Sequence, residues 1–194
     1  MKPRRALLTC AIGILVACGE PTEPSAPTWF EDEAVSRGLT FTHVSGAGDR
    51  YMITGSGAAL ADLDGDGDLD AYIVQSGTGL TGEAGAADRV FLNQGDGRFE
   101  PGPQPPDGDG YGMGVAVGDY DEDGDIDLYV TNLGPNLLLR NDGAGNFENV
   151  AAAAGVDEPG WGTSAAFLDL DQDGDLDLFV TNYLQWTVEA EIEC

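Results

Sequence analysis

Three stretches of nine residues carry aspartate at alternate positions, and they constrain the fold of this chain more than any other feature. They read Asp62-Leu-Asp-Gly-Asp-Gly-Asp-Leu-Asp70, Asp119-Tyr-Asp-Glu-Asp-Gly-Asp-Ile-Asp127 and Asp169-Leu-Asp-Gln-Asp-Gly-Asp-Leu-Asp177. We call them loop 1, loop 2 and loop 3; in each, Asp fills positions 1, 3, 5, 7 and 9, and Gly fills position 6. Carboxylates this close repel one another, and a hard divalent cation with oxygen ligands relieves that repulsion.

The spacing predicts about three Ca²⁺ sites, one in each loop. In such a loop, positions 1, 3 and 5 supply side-chain oxygens, position 7 its backbone carbonyl, and position 9 a closing carboxylate, while Gly at position 6 permits the sharp turn. The predicted carboxylate ligands are Asp62, Asp64, Asp66 and Asp70; Asp119, Asp121, Asp123 and Asp127; and Asp169, Asp171, Asp173 and Asp177. The predicted carbonyl ligands are those of Asp68, Asp125 and Asp175. We expect structural sites, with affinities on the order of micromolar to millimolar.

An EF-hand or a magnesium site fits the acidic pattern less well than a calcium loop between strands. An EF-hand also needs a bidentate Glu at position 12 and flanking helices, but position 12 is Ile73, Val130 or Val180. Magnesium keeps most of its water and requires strict octahedral geometry. Solvated acidic turns without metal remain the alternative, which three copies of one spacing disfavour.

The flanks of the loops predict an all-β fold built from repeats. Loop starts are 57 and 50 residues apart, and each loop lies between a small-residue strand and a β-branched strand. A hairpin motif follows twice, as Asn93-Gln-Gly-Asp-Gly-Arg-Phe99 and Asn141-Asp-Gly-Ala-Gly-Asn-Phe147, and Phe30…Gly38 echoes Phe147…Gly155. About four short strands per period are typical of a β-propeller blade, with a β-sandwich as the alternative. We expect about three blades, too few to close a ring, and hence further sequence or self-association.

On these residues the chain resembles the FG-GAP/VCBS repeat family, which includes the propeller blades of integrin α subunits. Segments 112–132 and 161–182 are most similar to the cartilage acidic protein group (ASPIC/UnbV-type proteins). The resemblance covers residues 29–194. It implies a calcium-binding propeller domain, here an N-terminal fragment of a longer protein.

The first 28 residues predict export and a lipid anchor. Lys2, Arg4 and Arg5 precede a mainly apolar run over 6–17, and Leu15-Val-Ala-Cys-Gly19 resembles a bacterial lipoprotein signal. By that resemblance, 1–17 is a signal peptide and Cys18 is lipidated, with 18–28 as a Pro-rich tether. An ordinary secretory signal is the alternative. Gly19 suits sorting to the outer membrane in a Gram-negative cell, on its periplasmic or surface side.

Charge and composition narrow the function classes. A net charge of −27 argues against nucleic acid as a partner. His43 is the sole histidine, expected on a strand surface, so no catalytic set can be assembled and we predict no enzyme activity. Cys194 indicates a disulfide partner outside this chain. The predicted function is a structural or interaction scaffold for an unknown protein or glycan. The alternatives are an accessory part of a polysaccharide-acting enzyme, or a lectin that uses Trp29, Trp161 or Trp186.

Overall fold

The computed structural model describes residues 30–44, 56–77, 87–106 and 111–183. The chain divides into two compact units, residues 1–32 and 33–194. Only residues 30–32 of the first unit are described, and they form neither strand nor helix. Cys18, Cys194, Trp29 and Trp186 therefore lie outside the described residues, as do the predicted signal peptide and tether. In the second unit, the described residues form strands joined by short loops.

Three antiparallel sheets make up the described fold. Their strands are β1 (Ala58–Ala61), β2 (Asp70–Ile73), β3 (Arg89–Asn93), β4 (Phe99–Pro101), β5 (Tyr111–Gly118), β6 (Asp127–Leu133), β7 (Leu137–Asn141), β8 (Phe147–Asn149), β9 (Gly162–Leu168) and β10 (Asp177–Asn182). The helical elements are a 3-10 turn, Val35–Arg37, and a single α-helical turn, α1 (Ala151–Ala154). Within the described residues, no helix has the length and hydropathy needed to cross a bilayer.

Each sheet is a meander in chain order, as expected of a propeller blade. Blade 1 has the order β1-β2-β3-β4, blade 2 the order β5-β6-β7-β8, and blade 3 pairs β9 with β10. Equivalent residues occupy equivalent registers: Ala59 pairs with Tyr72, Ala116 with Tyr129, and Ala166 with Phe179. The sheets that the described residues form are open and do not close a ring. The prediction of an all-β fold of propeller blades is confirmed.

Turns within the repeats follow the glycines that the sequence places there. The hairpin glycines of both motif copies, at 95, 97, 143 and 145, have φ between +73° and +78°. That left-handed conformation favours glycine because a β-carbon crowds it. The echo between 30–38 and 147–155 is confirmed at its turn, where Gly38 and Gly155 both lie in the left-handed region. The amide that follows each glycine donates to the carbonyl five residues earlier, Leu39 to Ala34 and Val156 to Ala151.

The hydrophobic core lies between successive blades. Between blades 1 and 2, Leu63, Tyr72 and Val90 pack with Leu128 and Leu139. The next interface lies between blades 2 and 3. Blade 2 contributes Ala116, Tyr129 and Leu138, helix α1 contributes Ala151, and blade 3 contributes Phe167, Leu178 and Val180. Blade 2 is thus covered on both faces, and all seven residues of β6 are buried. Because the loops connect the first two strands of each blade, this packing fixes the ends from which they extend.

Candidate metal centres in the three acidic loops

Each acidic loop connects the first strand of a blade to the second and brings carboxylates together. In each loop, three carboxylates offer oxygens that all lie within 4.8 Å of one another. The sets are Asp62, Asp64 and Asp66 in loop 1; Asp119, Asp121 and Asp127 in loop 2; and Asp169, Asp171 and Asp177 in loop 3. Positions 1 and 3 are therefore common to all three loops, and the third member is position 5 or position 9.

Backbone amides hold the position-1 carboxylate in the same way in every loop. Asp62, Asp119 and Asp169 accept a hydrogen bond from the amide of the position-6 glycine at 3.0, 3.0 and 3.3 Å. These glycines, Gly67, Gly124 and Gly174, have φ of +93°, +98° and +106°. The glycine turn thus aims its N–H back across the loop, which orients the position-1 side chain toward the loop interior.

The position-9 aspartates have a structural role that sequence reasoning missed. Asp70 accepts hydrogen bonds from the amides of Leu63 and Asn93, at 2.8 and 2.7 Å. Asp127 accepts from Tyr120 at 3.1 Å and Asn141 at 2.8 Å. Both carboxylates therefore join their loop to the start of a hairpin. The recurrence of Asn at 93 and 141 is the sequence signal that could have indicated this link.

In blade 3 the described position-9 contact is different. Asp177 is exposed and accepts a hydrogen bond from Leu170, at 2.9 Å. Asp70 and Asp127 have no exposed surface. Within the part of the chain that the structure describes, the position-9 carboxylate therefore has two backbone donors in blades 1 and 2 and one in blade 3.

None of the position-7 aspartates, Asp68, Asp125 and Asp175, belongs to a three-carboxylate set, and Asp68 and Asp125 lie beside the hairpin glycines. A β-carbon added at Gly143 would lie 2.6 Å from both carboxylate oxygens of Asp125, and one at Gly95 would lie 3.1 Å from an oxygen of Asp68. The hairpin glycines therefore allow close approach of the acidic loops. The predicted position-5 ligands differ between the loops. Asp66 belongs to the three-carboxylate set of loop 1, whereas Asp123 and Asp173 lie outside the sets and accept hydrogen bonds from the backbone amides of Asp125 and Asp175.

Burial and like charge raise the pKa of several loop carboxyls. Burial raises the pKa of Asp127 to about 6, against the lowering effect of its two backbone hydrogen bonds. The pKa of Asp64 is raised by burial and then by the charges of Asp70 and Asp66. Desolvation followed by the charges of Asp123 and Asp119 raises the pKa of Asp125. These loops thus hold negative charge at an energetic cost, which a bound cation would relieve.

The geometry fits a calcium ion. Oxygens at about 2.4 Å from one Ca²⁺ ion are at most about 4.8 Å from each other. The oxygens of each set lie within that limit. The donor set is all oxygen, as hard cations require. The three-carboxylate set of each loop, with position 5 as its third member in loop 1 and position 9 in loops 2 and 3, is the group of residues that could hold the ion.

Two other buried polar positions were not anticipated from sequence. Asp88 accepts hydrogen bonds from the Tyr72 hydroxyl and the Gln75 amide, both at 2.6 Å. In blade 2, the side-chain oxygen of Asn136 accepts a hydrogen bond from the backbone amide of Asn132 at 2.8 Å. These residues precede β3 and β7, so they link the second strand of the blade to the start of the third. They belong to the fold and lie outside the acidic loops.

The candidate residues for other chemistry are placed apart from these loops. His43 is exposed in an irregular segment, not in a strand as predicted, and its ring nitrogen lies 3.1 Å from the Ser56 hydroxyl. Among the described residues, no carboxylate accepts a hydrogen bond from His43. Trp161 packs beside Tyr111 and Leu133, and its ring centroid is 5.3 Å from that of Tyr183.

Comparison with known proteins agrees with the repeated architecture. The sequence profile of the FG-GAP-like repeat matches residues 62–130 and 119–180, each match beginning at an acidic loop. A search of curated proteins found no match. The two profile matches together span more than half of the chain, and each runs from the acidic loop of one blade to the second strand of the next. The chain belongs to the FG-GAP-like repeat family.

Proposed function

We propose that this protein is an exported, membrane-tethered scaffold whose blades are stabilised by calcium in the three acidic loops. The observation that carries the proposal is the repeated three-carboxylate set, in which oxygens of positions 1 and 3 recur within 4.8 Å of a third. A scaffold function suits a fold whose repeats present loops from a rigid core to a protein or glycan partner. The closer likeness to the cartilage acidic protein group is part of this proposal.

Calcium would act on the fold through charge. When bound, the ion would neutralise part of the repulsion among loop carboxylates and link the two strands that the loop joins. The position-1 aspartates would be oriented by the position-6 amides, so little rearrangement is needed at those side chains. Binding energy would then appear as folding stability.

Thermal melting of the full chain tests the calcium proposal. Three sites, each saturated at 100 times its Kd, would add about 2.7 kcal/mol apiece, which corresponds to a melting temperature higher by roughly 20 °C for a domain of this size. We expect chelator to lower the melting temperature and excess Ca²⁺ to restore it, with Mg²⁺ less effective.

Variants in each loop make the melting test specific. Asp64→Asn, Asp121→Asn and Asp171→Asn each remove a position-3 carboxylate from one set. Each variant should lose part of the calcium-dependent shift, whereas Glu100→Gln, at an exposed position on β4, should retain it. Identical melting curves in chelator and in calcium would contradict the proposal.

Export and lipidation are tested separately. The full chain expressed in a Gram-negative host with a labelled fatty acid should incorporate the label, and Cys18→Ala should abolish incorporation. Label retained in Cys18→Ala would contradict the anchor. Binding screens against a glycan array and a protein library, with and without Ca²⁺, would then define the partner. Turnover of a polysaccharide by the full chain would favour the enzyme-associated alternative.

A further inference from the structure

Asn141, the last residue of β7, contacts the acidic loops of two successive blades. Its side-chain amide nitrogen donates to the carbonyl of Leu63 in loop 1 at 2.9 Å and to that of Ile126 in loop 2 at 3.0 Å. Its backbone amide donates to the carboxylate of Asp127 in loop 2 at 2.8 Å. Asn141 is 4% exposed. One buried residue therefore joins the loop of blade 1 to the loop of blade 2.

Both ends of this link lie within the three-carboxylate sets or directly beside them. In loop 1, the bonded Leu63 stands between Asp62 and Asp64, which are two members of the set. In loop 2, Asp127 is itself a member of the set and accepts the backbone amide of Asn141. A change in the position of one set is therefore passed to the other through a single intervening residue.

Burial makes the link stiff. Leu63 is 1% exposed, and its own amide donates to the carboxylate of Asp70 at 2.8 Å. Asp70 and Asp127 have no exposed surface. Hydrogen bonds are stronger in such surroundings, and a buried donor or acceptor that loses its partner is costly because water cannot replace it. Movement of one loop must therefore be followed by the other or break a buried hydrogen bond.

The hairpin over residues 142–146, which follows directly after β7, lies close to both loops. On the side of loop 2, a β-carbon added at Gly143 would lie 2.6 Å from both carboxylate oxygens of Asp125. On the side of loop 1, a β-carbon added at Gly65 would lie 3.5 Å from the carbonyl oxygen of Gly143. The two loops thus share one wall, which is the hairpin that Asn141 begins.

The equivalent residue of blade 1 separates the link from the local contacts of the hairpin. Asn93 donates its backbone amide to Asp70 at 2.7 Å and its side-chain amide to the carbonyl of Leu69 at 3.2 Å, both in loop 1 of its own blade. Among the described residues, Asn93 has no counterpart to the bond between Asn141 and Leu63. A substitution at Asn93 therefore serves as the matched control for one at Asn141.

We propose that Asn141 couples loops 1 and 2, so that calcium bound in one loop raises the affinity of the other. This inference rests on the proposed function, because it concerns the same sites. When loop 2 is loaded, Asp127 is fixed, and Asn141 is fixed with it. The side chain of Asn141 then holds Leu63 and the carboxylates on either side of it in place. The ordering of the shared elements occurs once for both sites, which gives positive cooperativity.

Direct interaction between the two ions acts in the opposite direction. Bound divalent cations repel each other, and the first ion reduces the negative charge that attracts the second. That effect weakens the second binding step, most strongly at low ionic strength. Positive coupling between the loops therefore reports a structural connection and not the electrostatic field of the protein.

Calcium titration of the full chain with loop 3 disabled tests the proposal. Asp171→Asn leaves loops 1 and 2; adding Asp64→Asn leaves loop 2 alone, and adding Asp121→Asn leaves loop 1 alone. We expect the product of the two association constants in the two-loop protein to exceed the product of the single-loop constants at least about fivefold. Circular dichroism in chelator selects conditions in which every protein is folded before calcium is added.

Substitution of Asn141 locates the coupling. Asn141→Ala removes the side-chain link but keeps the backbone amide that bonds Asp127. In the two-loop protein, this change should reduce the ratio of the two products to about one, the value for independent sites. Asn93→Ala removes the corresponding side chain from blade 1 and should leave the fivefold excess unchanged.

Amide hydrogen exchange gives a measurement that needs no substitution at Asn141. In the protein that retains only loop 2, calcium should slow exchange of the Leu63 amide in blade 1 at least about threefold. A ratio of one or less in the two-loop protein, an excess that survives Asn141→Ala, or unchanged exchange at Leu63 would overturn this inference and leave the calcium proposal standing. Absence of calcium binding in every protein would overturn both.

Discussion

Blades 2 and 3 carry nearly the same acidic loop in different surroundings. Asp127 and Asp177 hold the same position in loops 2 and 3. Among the described residues, Asp127 is buried with two backbone donors, whereas Asp177 is exposed with one. The second donor to Asp127 is the amide of Asn141, at the end of β7. A repeat motif thus acquires its full set of contacts from strands outside the motif, as expected where stability comes from neighbouring units.

The strands show the same contrast. Every residue of β6 is buried between blades 1 and 3, whereas every residue of β10 is exposed or half-buried. Tyr129 donates its hydroxyl to the Val156 carbonyl at 2.6 Å, while its counterpart in blade 3 is Phe179, which lacks a hydroxyl. The comparison teaches that one sequence pattern supports either a covered or an open blade, depending on what packs on it.

The largest expected effect of a substitution is at position 2 of the loops. Leu63 is 1% exposed between blades 1 and 2, and Leu170 is exposed. We expect Leu63→Ala to lower the free energy of unfolding by about 3 kcal/mol through lost burial and a cavity. Leu170→Ala should change it by less than about 0.5 kcal/mol. Urea denaturation at low protein concentration measures both, and equal losses would contradict the contrast between covered and open blades.

Position 9 gives the next largest difference. With chelator present to remove any metal contribution, Asp127→Ala should cost about 2 kcal/mol, because a buried and a half-buried backbone donor lose their acceptor. Relief of the buried charge offsets part of that loss. Asp177→Ala should cost less than about 1 kcal/mol, because water can replace its contact. The midpoints of urea unfolding measure both losses, provided that the dependence of the unfolding free energy on urea is unchanged. A larger loss of stability in Asp177→Ala than in Asp127→Ala would be inconsistent with the structure.

A smaller effect is expected from the hydroxyl of Tyr129. Tyr129→Phe removes its hydrogen bond to Val156 and should lower stability by about 1 kcal/mol. The reciprocal change, Phe179→Tyr, places a hydroxyl on an exposed face and should have almost no effect. Thermal melting of each variant against the wild type measures the two changes in stability. Equal changes would mean that β6 and β10 have equivalent environments, and would contradict the structure.

The pH dependence of the metal-free protein sharpens the comparison further. Burial raises the pKa of Asp127 from 3.8 to about 6, so the folded state binds this proton more tightly than the unfolded state. Its contribution to stability is present below pH 3.8 and is lost as pH rises through about 6. Asp127→Asn should therefore flatten the fall in stability across that range. Asp177→Asn is the control, and equal flattening by both would argue against a special role for Asp127.

Sequence reasoning succeeded where a single residue type fixes local geometry. The glycines of the hairpins and of position 6 lie in the left-handed region, and strands flank every loop. It failed where the contact is distant in sequence, as between Asp127 and Asn141, or Tyr72 and Asp88. It also missed the left-handed conformation of Glu122 and Gln172, with φ of +57° and +64°, although Gly65 holds the same position in loop 1.

Calorimetric titration of the metal-free full chain with Ca²⁺ tests the central claim most directly. The account predicts about three ions per chain, with the loop 3 site the weakest because its position-9 carboxylate is the least firmly held. Asp64→Asn, Asp121→Asn and Asp171→Asn should each remove one site. Absence of saturable binding up to millimolar calcium at physiological ionic strength, or binding that survives all three substitutions, would contradict it.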